Sequence, residues 1–335
     1  MNVSIDRHKN RLETFGQNDI SHCRNLLEKL ANNWHKRAQV GKVRQKVSKL
    51  NQPEWSFDKN RDDFRIDLLP FKDHPHFQEA SVEVKKKILS CGWLAYNEKT
   101  VEIESKIISP ACNHIIARNV PGVEDGISQQ IACDTMVDEA YHVQLVMTAC
   151  RVTREKRNLQ NLRSPSFALT TNMYQEQSYF SEPWQKILIQ LATAIVSEIF
   201  ISDYLDLLAN DREIQPLNQI TVATHRQDEM AHGSIFKNLT KCVYSQLNHK
   251  QKDFFVRVLP KPVRWFANTE LNVWKSMLQQ IGFSHTESVI NDCATSNEVN
   301  LKRIDYSDLI SLAKEVGILD SSVGIDSFSR EGIIT

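Results

Sequence analysis

The chain has 335 residues, with 41 basic and 41 acidic side chains and 41% hydrophobic residues. This balance removes any global electrostatic reason to expect nucleic acid or an anionic membrane as a partner. Its seven cysteines are scattered and contain no CxxC pair, which excludes a disulfide framework and a Cys-bound zinc or rubredoxin-type iron and predicts a reduced, cytoplasmic protein.

The N-terminus, MNVSIDRHKNRLE, is polar and lacks the apolar core of a signal peptide. Residues 20–50 read as a basic amphipathic helix, with Leu26, Leu27, Leu30, Ala31 and Trp34 on one face. Residues 51–75, with Pro53, Pro70 and Pro75, read as a loop. A long helical pattern runs from about Phe77 to Ile108, with a break expected near Cys91-Gly92 and an end or kink at Pro110. After a turn at Pro121-Gly122, the next helix runs to about Arg157. Residues 161–180 read as a long loop and a candidate site cover. Ser181-Glu182-Pro183 starts a helix that runs to about Ala209, and another spans about Pro216 to Leu247. Two more are expected near 250–281, interrupted by Pro260 and Pro262, and one near 300–316. No strand alternation or short-period repeat is present. The expected architecture is therefore all-α, one domain over 1–335, with a helical-bundle core over about 93–245 and a flexible tail over about 318–335.

The helix that begins at Pro183 poses a problem. Its apolar stretch, Ile187 to Ile201, is interrupted by Gln190, Thr193, Ser197 and Glu198, which suits a buried core helix better than a membrane span. A lone carboxylate in such surroundings is costly or loses its charge, so Glu198 needs a partner. Two other helices offer one. They carry Asp138-Glu139-Ala140-Tyr141-His142 and Asp228-Glu229-Met230-Ala231-His232, the same Asp-Glu-x-x-His form. Residues three apart share a helix face, so each Glu-His pair can reach one ion. His225 extends the second copy into an i, i+4, i+7 stripe with Glu229 and His232. A single Glu-x-x-His is a weak signal, because solvated helix faces carry it often. Two copies with an isolated apolar-helix Glu between them are far more specific. Paired Glu-x-x-His helices plus one Glu from each of two further helices hold two metals in four-helix bundles. The fourth carboxylate is sought among Glu98, Glu102 and Glu104. Glu104 shares its face with Trp93, Asn97, Thr100 and Ile107, whereas Glu102 sits with Glu98, Ser105 and Lys106 on a polar face, so Glu104 is chosen.

The predicted metal ligands are thus Glu104, Glu139, His142, Glu198, His225, Glu229 and His232, acting in catalysis through the metals. Four carboxylates balance two divalent ions, and an all-oxygen and nitrogen set suits iron, or manganese, more than structural zinc. Asp138 and Asp228 are predicted acceptors for ligand imidazole N–H groups, reaching across to the neighbouring helix. Asn97 is a candidate substrate contact, although its stripe with Trp93 and Thr100 is more often core packing and helix support. For a substrate carboxylate, Arg118, Lys261 and Arg264 are available in sequence without being placed. No GxGxxG fingerprint for a flavin or nicotinamide is present, so an external electron donor or reductase is expected.

The stretches YNEKTVEIESKIISPA, DEAYHVQL, SEIFISDYL and HRQDEMAHGSIF resemble the ferritin-like di-iron carboxylate proteins, and more narrowly the di-iron N-oxygenases typified by p-aminobenzoate N-oxygenase, AurF. The extra histidine, His225, and the pair Tyr96-Asn97 before the first ligand match marks of that family, and the likeness runs from about Trp93 to Phe236. The resemblance implies an all-helical bundle, often a homodimer, holding two irons and using O2 to oxidise an amine to hydroxylamine, and in some members onward to nitroso or nitro, in natural-product biosynthesis. It leaves aryl and aliphatic amines both open. Alternatives are a di-iron desaturase or hydroxylase of a carrier-bound substrate, for which the basic runs at 42–46 and 85–87 are weak docking faces, and a ferritin-like iron oxidase or storage protein. A ribonucleotide reductase small subunit needs a radical Tyr beside the metals, and Tyr141 and Tyr204 read as ordinary aromatics.

Overall fold

A computed structural model describes residues 6–43, 57–295 and 305–334. The protein is all-α and ferritin-like; among the described residues there is no β-strand, only an isolated bridge between Asp62 and Ile214. The elements in chain order are α1 (Asp6–Asn32), α2 (Trp34–Arg37), α3 (Gln39–Val43), α4 (Pro75–Gln78), α5 (Val82–Ile103), a π-helical turn (Glu104–Ile108) and α6 (Ser109–Ile116). They continue with α7 (Gly126–Arg157), α8 (Ala168–Ser178), α9 (Pro183–Ala209), α10 (Pro216–Gln246), α11 (His249–Val258), α12 (Lys261–Phe266), α13 (Leu271–Gln280), α14 (Thr286–Thr295), α15 (Ser307–Glu315) and α16 (Ser322–Arg330).

Four segments form the central bundle: α5 with its π turn and α6, then α7, α9 and α10. Local chemistry fixes their ends. Asp125 caps α7 by accepting from Ser128 N at 2.9 Å, and Asn158 closes it in the left-handed region. Pro183 and Pro216 sit in the first turns of α9 and α10, where a missing N–H costs nothing. Gly233 lets α10 lie close against α9: a Cβ there would stand 3.0 Å from the Glu198 carbonyl oxygen. The helix α9 is long and apolar enough to cross a membrane, yet 78% of its apolar window is buried against other helices.

Several boundaries depart from the sequence reading. The first helix starts earlier, at Asp6, and stops at Asn32; Asn33 and Ala38 leave helical geometry and divide the next stretch of chain into α2 and α3. Residues 44–50 of that expected helix lie outside the described residues, as does part of the basic run at 42–46. No break occurs at Cys91-Gly92, because Gly92 serves packing: a Cβ would sit 2.6 Å from the Phe64 ring. Pro110 does not end its helix either. Its missing N–H leaves the Lys106 carbonyl, four residues back, without the usual donor. Gln190 of α9 supplies one, donating to the carbonyls of Lys106 (3.2 Å) and Ile107 (2.8 Å). The chain continues through the π turn into α6.

The expected loop over 161–180 contains α8. Its start is fixed from outside: Glu102 accepts from Phe167 N at 3.3 Å and Glu270 from Ala168 N at 3.0 Å. Glu102 and Glu98 are therefore tied to this segment and to Lys106 and Arg154, rather than freely solvated. Three helices, not two, fill 249–280. The tail after Gly317, expected to be flexible, folds into α16 and buries Ile318 and Phe328 completely.

Candidate metal centre

All seven predicted ligands converge in the middle of the bundle, and none is more than 2% exposed. Glu104 comes from the π turn, Glu139 and His142 from α7, Glu198 from α9, and His225, Glu229 and His232 from α10. Their donor atoms form two groups, each lying within 4.8 Å: Glu104, His142, His225 and Glu229 in one, and Glu139, Glu198, Glu229 and His232 in the other.

Two carboxylates straddle the groups. Glu229 Oε1 is 3.0 Å from His225 Nε2 and 3.2 Å from His142 Nδ1, while its Oε2 is 3.2 Å from His232 Nδ1. Glu139 does the same from α7, with Oε2 3.3 Å from His142 Nδ1 and Oε1 3.1 Å from His232 Nδ1. Glu104 and Glu198 stand at the two ends. Glu104 Oε1 lies 2.9 Å from His225 Nε2, and Glu198 Oε2 lies 3.9 Å from His232 Nδ1. Both oxygens of Glu198 lack a hydrogen-bond donor, and Glu104 has only the His225 nitrogen beside it. Four buried carboxyls, one of them without any donor, are the arrangement that cations complete and that protein donors here do not.

The imidazoles are aimed from behind. His142 and His232 turn Nδ1 inward, and their Nε2 atoms face Asp228 (3.1 Å) and Asp138 (3.2 Å), each on the opposite helix. Each Asp thus holds the histidine of the other Asp-Glu-x-x-His copy, fixing ring orientation and tautomer. A further layer comes from the N-terminal segment, which sequence reasoning did not connect to the site. Trp34 Nε1 donates to Asp138 (3.0 Å), Arg37 lies 3.5 Å from the same carboxylate, and Gln39 N donates to Asp228 (3.1 Å).

Electrostatics reflect this geometry. Burial pushes the Glu104 carboxyl up to about 7, against the attraction of His225. Burial, then the charges of Glu229 and Glu139, raise Glu198 well above the carboxylate range. For Glu229 burial also acts upward, but His232 and the N–H groups of all three imidazoles prevail and hold it well below its ordinary value. His142 and His232 are held well above the ordinary imidazole value: burial opposes this, and the surrounding carboxylates outweigh it. Without cations the centre therefore retains protons; two divalent ions would displace them.

An apolar cavity of about 230 Å³, which none of the seven residues lines, is bounded among others by Tyr96, Lys99, Phe200, Tyr204 and Phe266. Tyr96 and Tyr204 stack at 4.3 Å between ring centres. Lys99 is 5% exposed and pairs with Glu270 at 3.0 Å while donating to the Phe266 carbonyl at 2.8 Å. Asn97 is buried, donates to the Trp93 carbonyl at 2.7 Å, and does not line this cavity. Of the cations available in sequence, Arg118 bonds Gln129, Lys261 pairs with Glu176 and Arg264 with Glu331, all away from it. The sequence reading passed over Lys99, which stands five residues before Glu104 among other polar and charged residues and so carried no distinguishing signal.

A helical bundle whose two Glu-x-x-His helices and two further inward Glu residues enclose buried double carboxylate–imidazole groups is the construction of the ferritin-like carboxylate enzymes. Similarity to known proteins narrows this class. The family described as p-aminobenzoate N-oxygenase AurF matches residues 21–317, and the chain belongs to that family of N-oxygenase enzymes. It is 30% identical to 4-aminobenzoate N-oxygenase of Streptomyces thioluteus over 305 residues, covering 90% of this chain and 88% of the relative.

Proposed function

We propose that the seven-residue centre holds two iron ions and that the protein uses O2 to oxidise a primary arylamine to its hydroxylamine. The observation that carries this reading is the pair of buried donor groups sharing Glu229. The ligands would be Glu104, His142, His225 and Glu229 on one side and Glu139, Glu198, Glu229 and His232 on the other, with Glu139 also within reach of the first. Bound there, the iron pair supplies the redox power to activate O2, which side chains lack.

The rest falls to the chain itself. Asp138 and Asp228 keep Nδ1 of His232 and His142 turned inward. His225 gives the first group a second neutral nitrogen, making the two sides unequal. The aromatic walls of the 230 Å³ cavity suit a flat ring better than a flexible aliphatic amine. Lys99 offers a cation to an acidic ring substituent, provided the substituent takes the place of Glu270. One oxygen atom of O2 is placed between nitrogen and hydrogen; the other leaves as water, with two electrons and two protons drawn from an external donor. Further oxidation to nitroso removes two electrons and two protons from the hydroxylamine, and nitro requires one more oxygen atom. Cytoplasmic location, supported by seven free cysteines, and a homodimer complete the reading.

The test is direct. Protein loaded anaerobically with Fe(II) is exposed to 18O2, a chemical reductant and either p-aminobenzoate or a neutral arylamine, and products are read by mass spectrometry. One labelled oxygen on nitrogen is expected. Lys99→Met should raise KM for the acidic arylamine by about 10–100-fold, the worth of a charged hydrogen bond, and leave that for the neutral one nearly unchanged. Labelled product from neither amine would sink the arylamine reading.

A further inference from the structure

Glu198 faces a second space. A cavity of about 290 Å³ lies between α9, α10 and the first turn of α15, and Glu198 and Glu229 are part of its lining. It differs in character from the apolar cavity. Asp203, Asp305 and Asp308 are at its exposed end, and Ser202, Gly233 and Ser234 line it further in. Two cations stand nearby, and each is engaged: Lys237 pairs with Asp308 at 2.8 Å and Arg226 donates to Asp206 at 2.8 Å. Asp203 and Asp305 have no ion pair among the described residues. The acids also feel one another: burial first, then Asp206, Asp305 and Asp308, raise the Asp203 carboxyl. At the inner end, both oxygens of Glu198 lack a donor although the residue is 2% exposed.

We propose that this acidic cavity is the route by which divalent metal reaches the centre. A hydrated cation is attracted to the carboxylates of the mouth, Asp203, Asp305 and Asp308, and can exchange water for carboxylate oxygens at Asp203 and then at Glu198. Glu198 lines the cavity and belongs to the inner donor group, so it hands the ion to Glu139, Glu229 and His232. The polar passage thus serves the metal, and the apolar cavity, which meets it only at Asp203, serves the organic substrate. This rests on the metal-centre reading.

Metal-free full-length protein is mixed with Co(II) in a stopped-flow instrument, and the visible cobalt absorbance is followed; final stoichiometry is measured by elemental analysis. The double variant Asp203→Asn/Asp305→Asn should load about tenfold more slowly at low ionic strength and reach the parent's stoichiometry. The difference should shrink at high salt, where surface charge is screened. Ser202→Leu, which narrows the passage without changing charge, should slow loading at every ionic strength. Circular dichroism verifies that both variants are folded. If the parent binds two ions and both variants load at its rate, the route is wrong and the centre stands. If the parent binds no cobalt, both readings fall.

Discussion

Glu139 and Glu229 each turn one oxygen toward each donor group, whereas Glu104 and Glu198 belong to one group apiece. This division sets what single substitutions should do. Glu104→Ala should leave the protein with one ion per chain, and Glu198→Ala with the other. Glu229→Ala removes an oxygen from both groups and should leave neither filled at stoichiometric metal. Elemental analysis after desalting distinguishes these outcomes; equal loss in all three variants would show that the two groups do not bind separately. Asp138→Asn is gentler. It keeps the shape but weakens the acceptor behind His232 and the partner of Trp34 and Arg37. Weakening of metal affinity by about 10–100-fold is expected, the usual effect of removing an outer carboxylate. Trp34 emission should change as well, because its indole N–H loses a charged acceptor.

At the scale of elements, the π turn is where a ligand and a packing constraint meet. Glu104 opens it, Pro110 denies the Lys106 carbonyl its donor, and Gln190 supplies one from α9. Gln190 is 5% exposed in the largely apolar α9, and its amide has this one structural use beyond a bond with Gln177. Gln190→Leu should cost about 1–3 kcal/mol, the penalty of stranding buried carbonyls. Thermal melting of metal-free protein reads that loss. Metal affinity should fall with it, because Glu104 hangs on the same turn; a variant with parental melting and parental affinity would show that Pro110 finds its compensation elsewhere. Helical periodicity put Glu104 on the inward face, but the π turn itself left no trace in the sequence. Pro110 was visible, and what kept the helix going was a side chain eighty residues later.

The same contrast holds for the molecule as a whole. The metal-binding spacing was legible because i, i+3 and i, i+4 relations are local to a helix, and a buried Glu in an apolar stretch demands a partner wherever the chain runs. Contacts made across long separations were not legible. Trp34 meets Asp138 across 104 residues, and Gln39 meets Asp228 across 189, with no periodicity to announce either. The start of α8 is likewise set by carboxylates of α5 and of the Glu270 loop, and the tail is ordered by burying Phe328.

Charge, too, is a property of the assembled centre. Glu104 is raised to about 7 and Glu198 well above its ordinary value, while His142, His225 and His232 are raised as well. A group with a raised folded-state pKa holds its proton more tightly folded than unfolded. Its contribution is complete below the unfolded pKa and is lost as pH climbs through the folded value. All five therefore act in one direction: metal-free protein should be more stable at pH 6 than at pH 8.5. Glu229, held low, acts oppositely, but only in acid, below its ordinary carboxyl value. Metal reverses the trend, since ions compete with those same protons and bind better as pH rises. Melting temperatures measured with and without Co(II) should cross the pH range in opposite directions. Parallel curves would mean that the buried carboxyls and imidazoles release no protons to metal, and hence that they are not its ligands.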